Sequence, residues 1–151
     1  MTDDAARAYL AGLQWLSRRE LSEAQLRQRL ARRAFSPDSI DAAITRLREE
    51  RALDDRRAAL ACARTEVRLK GRGRRRVEQR LMTLGIDRDV ARGAVAEAFG
   101  DVDEGALIER AIERRLRRGE SLDDPAVRAR VYRCLLGQGF DGDRVSGALR
   151  R

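Results

Sequence analysis

The sequence predicts an all-α fold made of three tandem three-helix repeats. Apolar residues recur at helical spacing along the chain, and runs that alternate like β-strands are hard to find. A segment with one apolar pattern also occurs three times, at residues 26–30, 77–81 and 131–135. The copies begin 51 and 54 residues apart, and a period near fifty is typical of a repeat array.

Each copy of this segment is followed by a second shared feature. An apolar residue stands five positions after its last residue, and an acidic or Ser/Pro helix start comes next. The three apolar residues are Phe35, Ile86 and Phe140. We expect them to fill the corner between two helices. The alternative is a helix-turn-helix DNA reader, in which such a turn positions a recognition helix.

The first repeat is predicted to span residues 1–52. Its second helix starts at Ser22–Gln25, a capping-box pattern. Its third starts at Ser36-Pro37, an N-cap followed by proline at the first helical position. The apolar stripe of its first helix is predicted to be Ala6, Tyr9, Leu10, Leu13 and Leu16.

The second and third repeats are predicted to span residues 53–100 and 101–151. In the second, Asp54-Asp55 start a helix, and glycines at 71, 73 and 85 mark the breaks around the next one. In the third, Asp124-Pro125 cap the middle helix, and a short last helix starts at Asp143. Nine helices are therefore expected.

Composition limits the class of protein. Aromatic residues make up 4% of the chain and many apolar positions are alanine, so we expect thin cores. No secretory signal and no apolar run of membrane-spanning length is visible. Cys62 and Cys134 lack metal-ligand spacing and are predicted to be reduced, buried thiols.

The sequence does not support an enzyme, a metal site or a bound cofactor. It contains no histidine, which removes the commonest general base and metal ligand. The glycine pair around Arg72 lacks the Gly-Lys-Ser/Thr of a phosphate-binding loop. The acidic pairs at 49–50, 54–55 and 123–124 are most simply helix caps and dipole partners.

The formal net charge of +8 is unevenly distributed. Residues 64–80 carry eight basic side chains against two acids, with no other compensating acid in the segment, and residues 18–33 carry six against two. Residues 38–55 are acidic instead. Because arginine forks bind carboxylate and phosphate equally well, both basic clusters are candidate contacts for an anionic partner. A solvated face is the alternative.

The candidate contact residues fall into two groups. The first repeat contributes Arg27, Arg29, Arg32 and Arg33. The second contributes Arg64, Arg68, Lys70, Arg72, Arg74, Arg75, Arg76 and Arg80, which we expect to be the main contact, partly on a Gly-broken loop with exposed backbone amides. Arg29 and Arg80 occupy the same repeat position and suggest a shared outward face.

Two other features have simpler explanations. A third basic patch, at residues 114–118, lies at the end of a predicted helix, where the helix dipole stabilises positive charge. Trp15 lies beside the apolar stripe of the first helix and is predicted to belong to the core or an interface rather than to stack on a base.

Three stretches of the chain resemble the RecX family, whose members regulate the RecA recombinase. Residues 21–35, LSEAQLRQRLARRAF, are similar to that family's S-E-x-E-L-R-x-K-L-x-x-K-G-F segment. Residues 53–59 resemble its L-D-D-x-R-F-A, and residues 70–86 resemble its second glycine-containing segment. Two departures are Ala34 in place of the usual Gly and Ala58 in place of Phe or Tyr.

The resemblance implies a non-enzymatic, cytoplasmic modulator with an elongated, curved array of repeats. It implies binding to RecA filaments and inhibition of ATP hydrolysis, strand exchange and co-protease activity in DNA repair, homologous recombination and the SOS response. We expect a monomer; the glycines at 71–73 and the segment 119–124 could act as hinges for a domain-swapped dimer.

Two other functions are compatible with the residues. A basic helical-repeat protein could bind single- or double-stranded DNA without sequence preference and affect RecA by competition. A structural adaptor could act on a different partner.

Overall fold

The protein is all-helical in a computed structural model that describes residues 1–151. It has nine α-helices and no strand, which confirms the predicted fold class. The helices are α1 (Asp3–Leu16), α2 (Glu23–Arg32), α3 (Pro37–Glu49), α4 (Asp55–Arg68), α5 (Arg74–Thr83), α6 (Arg88–Ala98), α7 (Glu104–Arg115), α8 (Pro125–Gly137) and α9 (Gly142–Leu149). No helix is long and apolar enough to cross a membrane.

Side-chain oxygens cap the helix starts as the sequence predicts. Ser22 and Gln25 form the complete capping box of α2, with each side chain bonded to the other residue's backbone N–H. Ser36 and Asp124 cap α3 and α8, and each of these helices has proline in its first turn. The last helix begins at Gly142 rather than at Asp143, because Asp141 provides the cap.

The threefold segment is a helix end of one type. After α2, α5 and α8, the backbone N–H of the apolar corner residue bonds to the carbonyl five residues earlier, in the pairs Phe35–Leu30, Ile86–Leu81 and Phe140–Leu135. These are the bonds of a Schellman motif, which requires a left-handed residue just before the corner. That residue is Ala34, Gly85 or Gly139, with φ of 64°, 78° and 95°. The corner residues therefore close helices, as predicted.

Contacts divide the chain into two compact units. The first unit comprises Met1–Cys62 and Leu81–Ala94, and the second comprises Ala63–Arg80 and Val95–Arg151. The core of the first unit is aliphatic, and Leu21, Leu26, Leu30, Ile44 and Leu47 are completely buried in it.

The predicted apolar stripe of α1 is partly wrong: Leu16 packs against the core as expected, but Leu10 and Leu13 do not lie on the buried face. Tyr9 is buried as expected, but its companions are Ala5, Ala8 and Gly12. Leu10 is 60% exposed and Leu13 is 37% exposed. A Cβ atom at Gly12 would lie 2.9 Å from Leu47 Cδ1, so α1 approaches α3 too closely for large side chains on the buried face. Small residues thus replace leucines there.

In the first unit the start of α2 packs directly against the turn after α5, a contact that we call a joint. The Ser22 hydroxyl, which is buried, donates a hydrogen bond to the Leu84 carbonyl over 2.6 Å. A Cβ atom at Gly85 would lie 2.4 Å from Ala24 Cβ, closer than real Cβ atoms approach other atoms. The joint therefore requires glycine at this position for space as well as for φ.

The second unit contains a joint at the corresponding positions. The offsets of 51 and 54 residues align Ser22 with Gly73 and Gly85 with Gly139. Gly73 N–H donates to the Gln138 carbonyl over 2.8 Å, and Arg75 N–H donates to the Gly139 carbonyl over 3.2 Å. Gly73 is buried, so the expectation that this loop exposes its backbone amides is wrong. The amides of Gly71 and Arg72 are also bonded, to carbonyls of α4.

The segment between α7 and α8 is fixed by one ion pair in the second unit. Both Arg130 terminal nitrogens donate to Glu120, one to each carboxylate oxygen, over 2.6 Å. Arg117 N–H donates to Glu120 as well, over 2.8 Å. The hydrogen bonds from Arg130 are the main reason that the pKa of Glu120 falls to about 2.

Substitution of Ala34 by glycine should stabilise the protein. Ala34→Gly removes an L side chain from a left-handed conformation, and we expect a gain of about 0.5–1 kcal/mol in the free energy of unfolding after the entropic cost of glycine. The matched change Gly85→Ala should lose more than ~2 kcal/mol, because strain and overlap with Ala24 add there. Urea denaturation measures both. A loss of stability in Ala34→Gly would contradict the assigned helix end.

The Glu120 carboxylate should make the free energy of unfolding depend on pH at acidic pH. Its pKa is about 2 in the folded protein and near 4.5 without these contacts, so its contribution is complete above pH 4.5 and is lost as pH falls towards 2. The Glu120→Gln variant should therefore be less stable than the parent at pH 7, and the difference should shrink between pH 4.5 and 2. Thermal unfolding followed by circular dichroism at several pH values tests this. A difference that is constant with pH would contradict it.

Candidate functional site

Most cations of the segment 64–80 are paired in the folded protein. The carboxylate of Glu66, which is 4% exposed, lies 3.0 Å from Lys70 Nζ. The Nε atoms of Arg72 and Arg80 each lie 4.0 Å from the same carboxylate. Three of the eight predicted contact residues therefore surround one buried acid, which offsets one of their three charges.

Acids from later in the sequence pair with two more residues of this segment. Arg74 Nε lies 2.6 Å from Glu104, and its guanidinium is 4.9 Å from the centre of the Phe99 ring. Arg64 lies 4.0 Å from Glu97. Arg76 donates to the Gly137 carbonyl over 2.8 Å instead, beside the joint. The segment contains no further acid of its own, but its charges are not left uncompensated as expected, because acids outside the segment pair with two of its arginines.

Two side chains of the segment remain free for a partner. Arg68 and Arg75 are exposed, and neither guanidinium takes part in an ion pair. Arg75 borders a cavity of about 210 Å³ that Arg74, Glu104 and Leu136 also line. The cavity is adjacent to the Gly73–Gly139 joint.

The basic residues of the first repeat are arranged differently. Arg29 on α2 and Arg33, the C-cap residue of that helix, lie one turn apart, and their guanidinium carbons are 5.6 and 5.2 Å from the centre of the Trp15 ring. At these distances both cations interact with the ring. Trp15 is partly buried against the core of the first unit, as predicted.

Three exposed arginines lie close in sequence to Trp15 or to Arg29. Arg18 and Arg19 form the turn after Trp15, and both backbone N–H groups donate to the Trp15 carbonyl. Arg32 follows Arg29 by three residues on α2. We call Trp15, Arg18, Arg19, Arg29, Arg32 and Arg33 the Trp15 surface. None of its arginines takes part in an ion pair.

Arg27 does not belong to this surface. It lies 3.2 Å from Glu23 and 2.7 Å from Asp41, and the hydrogen bond to Asp41 raises its pKa above the usual value. Arg29 and Arg80 also differ, since one stacks on Trp15 and the other faces Glu66, although they share a repeat position. Repeat position alone therefore does not define one outward face.

The aspartates at 54 and 55 have structural contacts. Asp54 accepts hydrogen bonds from the backbone N–H groups of Arg56 and Arg57 and so caps α4. Asp55 accepts one from Glu23 N–H over 2.8 Å, and its partial burial raises its pKa. Both aspartates line a cavity of about 480 Å³ in the first unit, where arginine side chains balance the acids.

The two cysteines form no site, and the third basic patch lies at the end of a helix. Cys62 and Cys134 form no disulfide, and both are partly exposed rather than buried as expected. Arg114 and Arg115 lie in the last turn of α7, where the helix dipole stabilises positive charge. No cluster of three or more His, Cys, Asp or Glu residues that could hold a metal ion is present.

Together, the fold and the surface define a helical protein with joined three-helix sets and an arginine-rich face. The family model for the first three-helix domain of RecX matches residues 8–47 of this chain, and the model for the second three-helix domain matches residues 54–95. The chain therefore belongs to the RecX family of regulatory proteins.

Relatives in sequence and structure agree with this assignment. The chain is 34% identical to regulatory protein RecX of Vibrio parahaemolyticus over 92% of its length and 87% of the relative's. It is 28% identical to that of Pelodictyon phaeoclathratiforme over 99% of its length and 92% of the relative's. The crystal structure of RecX from Lactobacillus salivarius shares the fold, with a TM-score of 0.84, 21% identity and coverage of 99% and 97% of the two chains.

The buried acid of the segment 64–80 should contribute measurably to stability. Glu66→Gln leaves Lys70, Arg72 and Arg80 without their carboxylate, and we expect a loss of about 1–2 kcal/mol because those cations remain half-solvated. Glu97→Gln is the matched control: Glu97 is 63% exposed and 4.0 Å from Arg64, so its loss should be below ~0.5 kcal/mol. Urea denaturation compares them. Equal effects of the two changes would contradict the role given to Glu66.

Proposed function

We propose that this protein regulates the RecA recombinase, mainly as an inhibitor. In this proposal it binds RecA nucleoprotein filaments in the cytoplasm and suppresses ATP hydrolysis, strand exchange and co-protease activity during DNA repair and the SOS response. It acts by binding and catalyses no reaction itself. Membership of the RecX family of regulatory proteins carries the proposal.

The charge of the exposed arginines supports contact with an anionic assembly. A RecA filament on DNA offers both protein carboxylates and phosphates, and guanidinium forks suit both. Within the candidate set, the guanidinium groups that bond to no carboxylate or carbonyl are those of Arg29, Arg32, Arg33, Arg68 and Arg75. We therefore propose that filament contact depends more on the first repeat than on the segment 64–80.

We also propose that the chain is divided into three repeats, at residues 1–52, 53–100 and 101–151. In this division the hydrogen bond from Ser22 to Leu84 links the first repeat to the second, and that from Gly73 to Gln138 links the second to the third. We propose a monomer as the active form, because main-chain hydrogen bonds hold the loop at 71–73 and an ion pair holds the segment 119–124. Both segments were candidate hinges for an exchange between chains.

A second candidate function is binding to DNA without sequence preference, with inhibition by competition. The net charge of +8 favours it. The two functions differ in one respect. A competitor should inhibit only while RecA is assembling on DNA, whereas a filament-binding regulator should also act on filaments that are already formed.

The test uses RecA filaments formed on single-stranded DNA before the protein is added. At equimolar protein we expect slower ATP hydrolysis and shorter filaments in electron micrographs. Unchanged hydrolysis and length would overturn the proposal, and capture of a different partner without RecA would favour an adaptor. An effect that appears only when protein precedes RecA would favour competition for DNA.

Two double variants locate the filament contact. Arg29→Ala with Arg33→Ala removes two free charges from the first repeat, and Arg68→Ala with Arg75→Ala removes two from the segment 64–80. We expect the first pair to raise the concentration needed for half-inhibition about tenfold, and the second pair to raise it less. The reverse order would place the main contact on the segment 64–80. The triple change of residues 74–76 is unsuitable, because Arg74 and Arg76 support the second unit.

A further inference from the structure

A cavity in the second unit is lined by three arginines and by apolar residues, with no acid among them. It has a volume of about 390 Å³ and lies between the end of α4 and one face of α7. Leu107, Arg110 and Arg114 line it from α7, where their spacing places them on the same face of the helix. A cavity of this volume can hold a small organic molecule.

The charge around this cavity is positive only. Arg68 from α4 and Arg110 and Arg114 from α7 provide three exposed guanidinium groups, and none of them takes part in an ion pair. Arg110 and Arg114 are four residues apart, a spacing at which like charges on a helix repel each other. The cavities beside Asp54 and Arg75 differ, because each contains both carboxylates and arginines. An anion would relieve the repulsion, and no side chain of this cavity supplies one.

The helix dipole accounts for only part of this arrangement. Arg68 and Arg114 lie in the last turns of α4 and α7, where the dipole stabilises positive charge. Arg110 lies before the last turn of α7, where that effect has fallen off. The Arg114 side chain also lies against the turn after α4, since a Cβ atom at Gly71 would be 3.2 Å from Arg114 Nη1. Its guanidinium group is therefore placed at the cavity by packing.

The floor of the cavity is apolar. Val67 and Leu107 are 4% and 7% exposed, and Val102 is half-buried. An inorganic anion would gain nothing from these side chains, whereas the apolar part of an organic molecule can pack on them. Guanidinium planes also stack on aromatic rings, which adds to the contact. The combination fits a ligand with an aromatic body and more than one negative charge.

We propose that this cavity binds a small aromatic polyanion. The ring of the ligand lies against the apolar floor, and two or more phosphate or carboxylate groups accept hydrogen bonds from the three guanidinium groups. Free nucleotides and aromatic polycarboxylates share this chemistry, and guanidinium forks suit both kinds of anionic group. The ligand is a small free molecule, and its binding does not depend on the proposed action on RecA filaments.

Isothermal titration calorimetry on the full chain tests this with four probes. ADP and benzenetricarboxylate each combine a ring with several negative charges. Pyrophosphate has the charges without a ring, and adenosine has a ring without the charges. We expect ADP or benzenetricarboxylate to bind about tenfold more tightly than pyrophosphate and adenosine, because only a molecule with both parts uses the floor and the arginines together. The tighter of the two shows whether the ligand carries phosphate or carboxylate groups.

Two double variants locate the binding site. Arg110→Gln with Arg114→Gln removes two charges of the cavity, while Arg68 is kept because it also belongs to the proposed filament contact. The control, Arg115→Gln with Arg118→Gln, removes two exposed charges that do not line the cavity and are in no ion pair. We expect the first variant to bind the tighter probe at least about tenfold more weakly, and the control to lose less than about threefold. Circular dichroism and urea denaturation verify that both variants are folded.

Four results would overturn the inference. Failure of both ringed polyanions to bind at millimolar concentration would exclude a ligand of this class. Equal losses in the two variants would mean that only net charge matters. Binding of pyrophosphate as tight as that of the better ringed probe would mean that the apolar floor plays no part, a comparison that needs only the parent chain. Displacement of that probe by an equal concentration of oligothymidylate would make the cavity part of a nucleic-acid contact instead.

Discussion

The close approach of a helix start to a glycine turn is the contact on which the rest of the structure depends. In the first unit it joins Ser22 and Ala24 to the turn at Gly85, and in the second it joins Gly73 and Arg75 to the turn at Gly139. Three-helix sets of about fifty residues bury little surface alone, so neighbouring sets must support each other. The joint provides that support, and it accounts for the need for glycine at positions 85 and 139.

The same joint determines which arginines are available to a partner. In the second unit the N-terminal end of α5 is held against the turn at Gly139, and Arg74 and Arg76 bond to groups of that unit. In the first unit the corresponding end of α2 carries a serine cap and Glu23, so the arginines lie later on α2. Arg29 and Arg33 lie against the Trp15 ring instead of pairing with acids, and the ring does not neutralise their charge.

The sequence predicts the fold well because its signals are local. Helix caps at Ser22, Ser36 and Asp124 and the closing residues after α2, α5 and α8 each depend on a few neighbouring positions. The α1 stripe is partly wrong for a physical reason: hydrophobicity favours leucine on the buried face, whereas the short distance to α3 requires alanine and glycine. The prediction that the charges of residues 64–80 are uncompensated is wrong for a related reason. Two of their partners, Glu97 and Glu104, are distant in sequence and come close only in the fold.

A joint made largely of main-chain groups leaves the neighbouring side chains free to change during evolution. The bonds from Gly73 and Arg75 to carbonyls of the α8–α9 turn depend on backbone geometry and on two glycines, not on the arginine side chain. Drift at the surrounding positions can therefore alter surface charge with little loss of folding stability. Homologues that differ at two thirds of their positions can keep one architecture while each adjusts its outer face to its own partner.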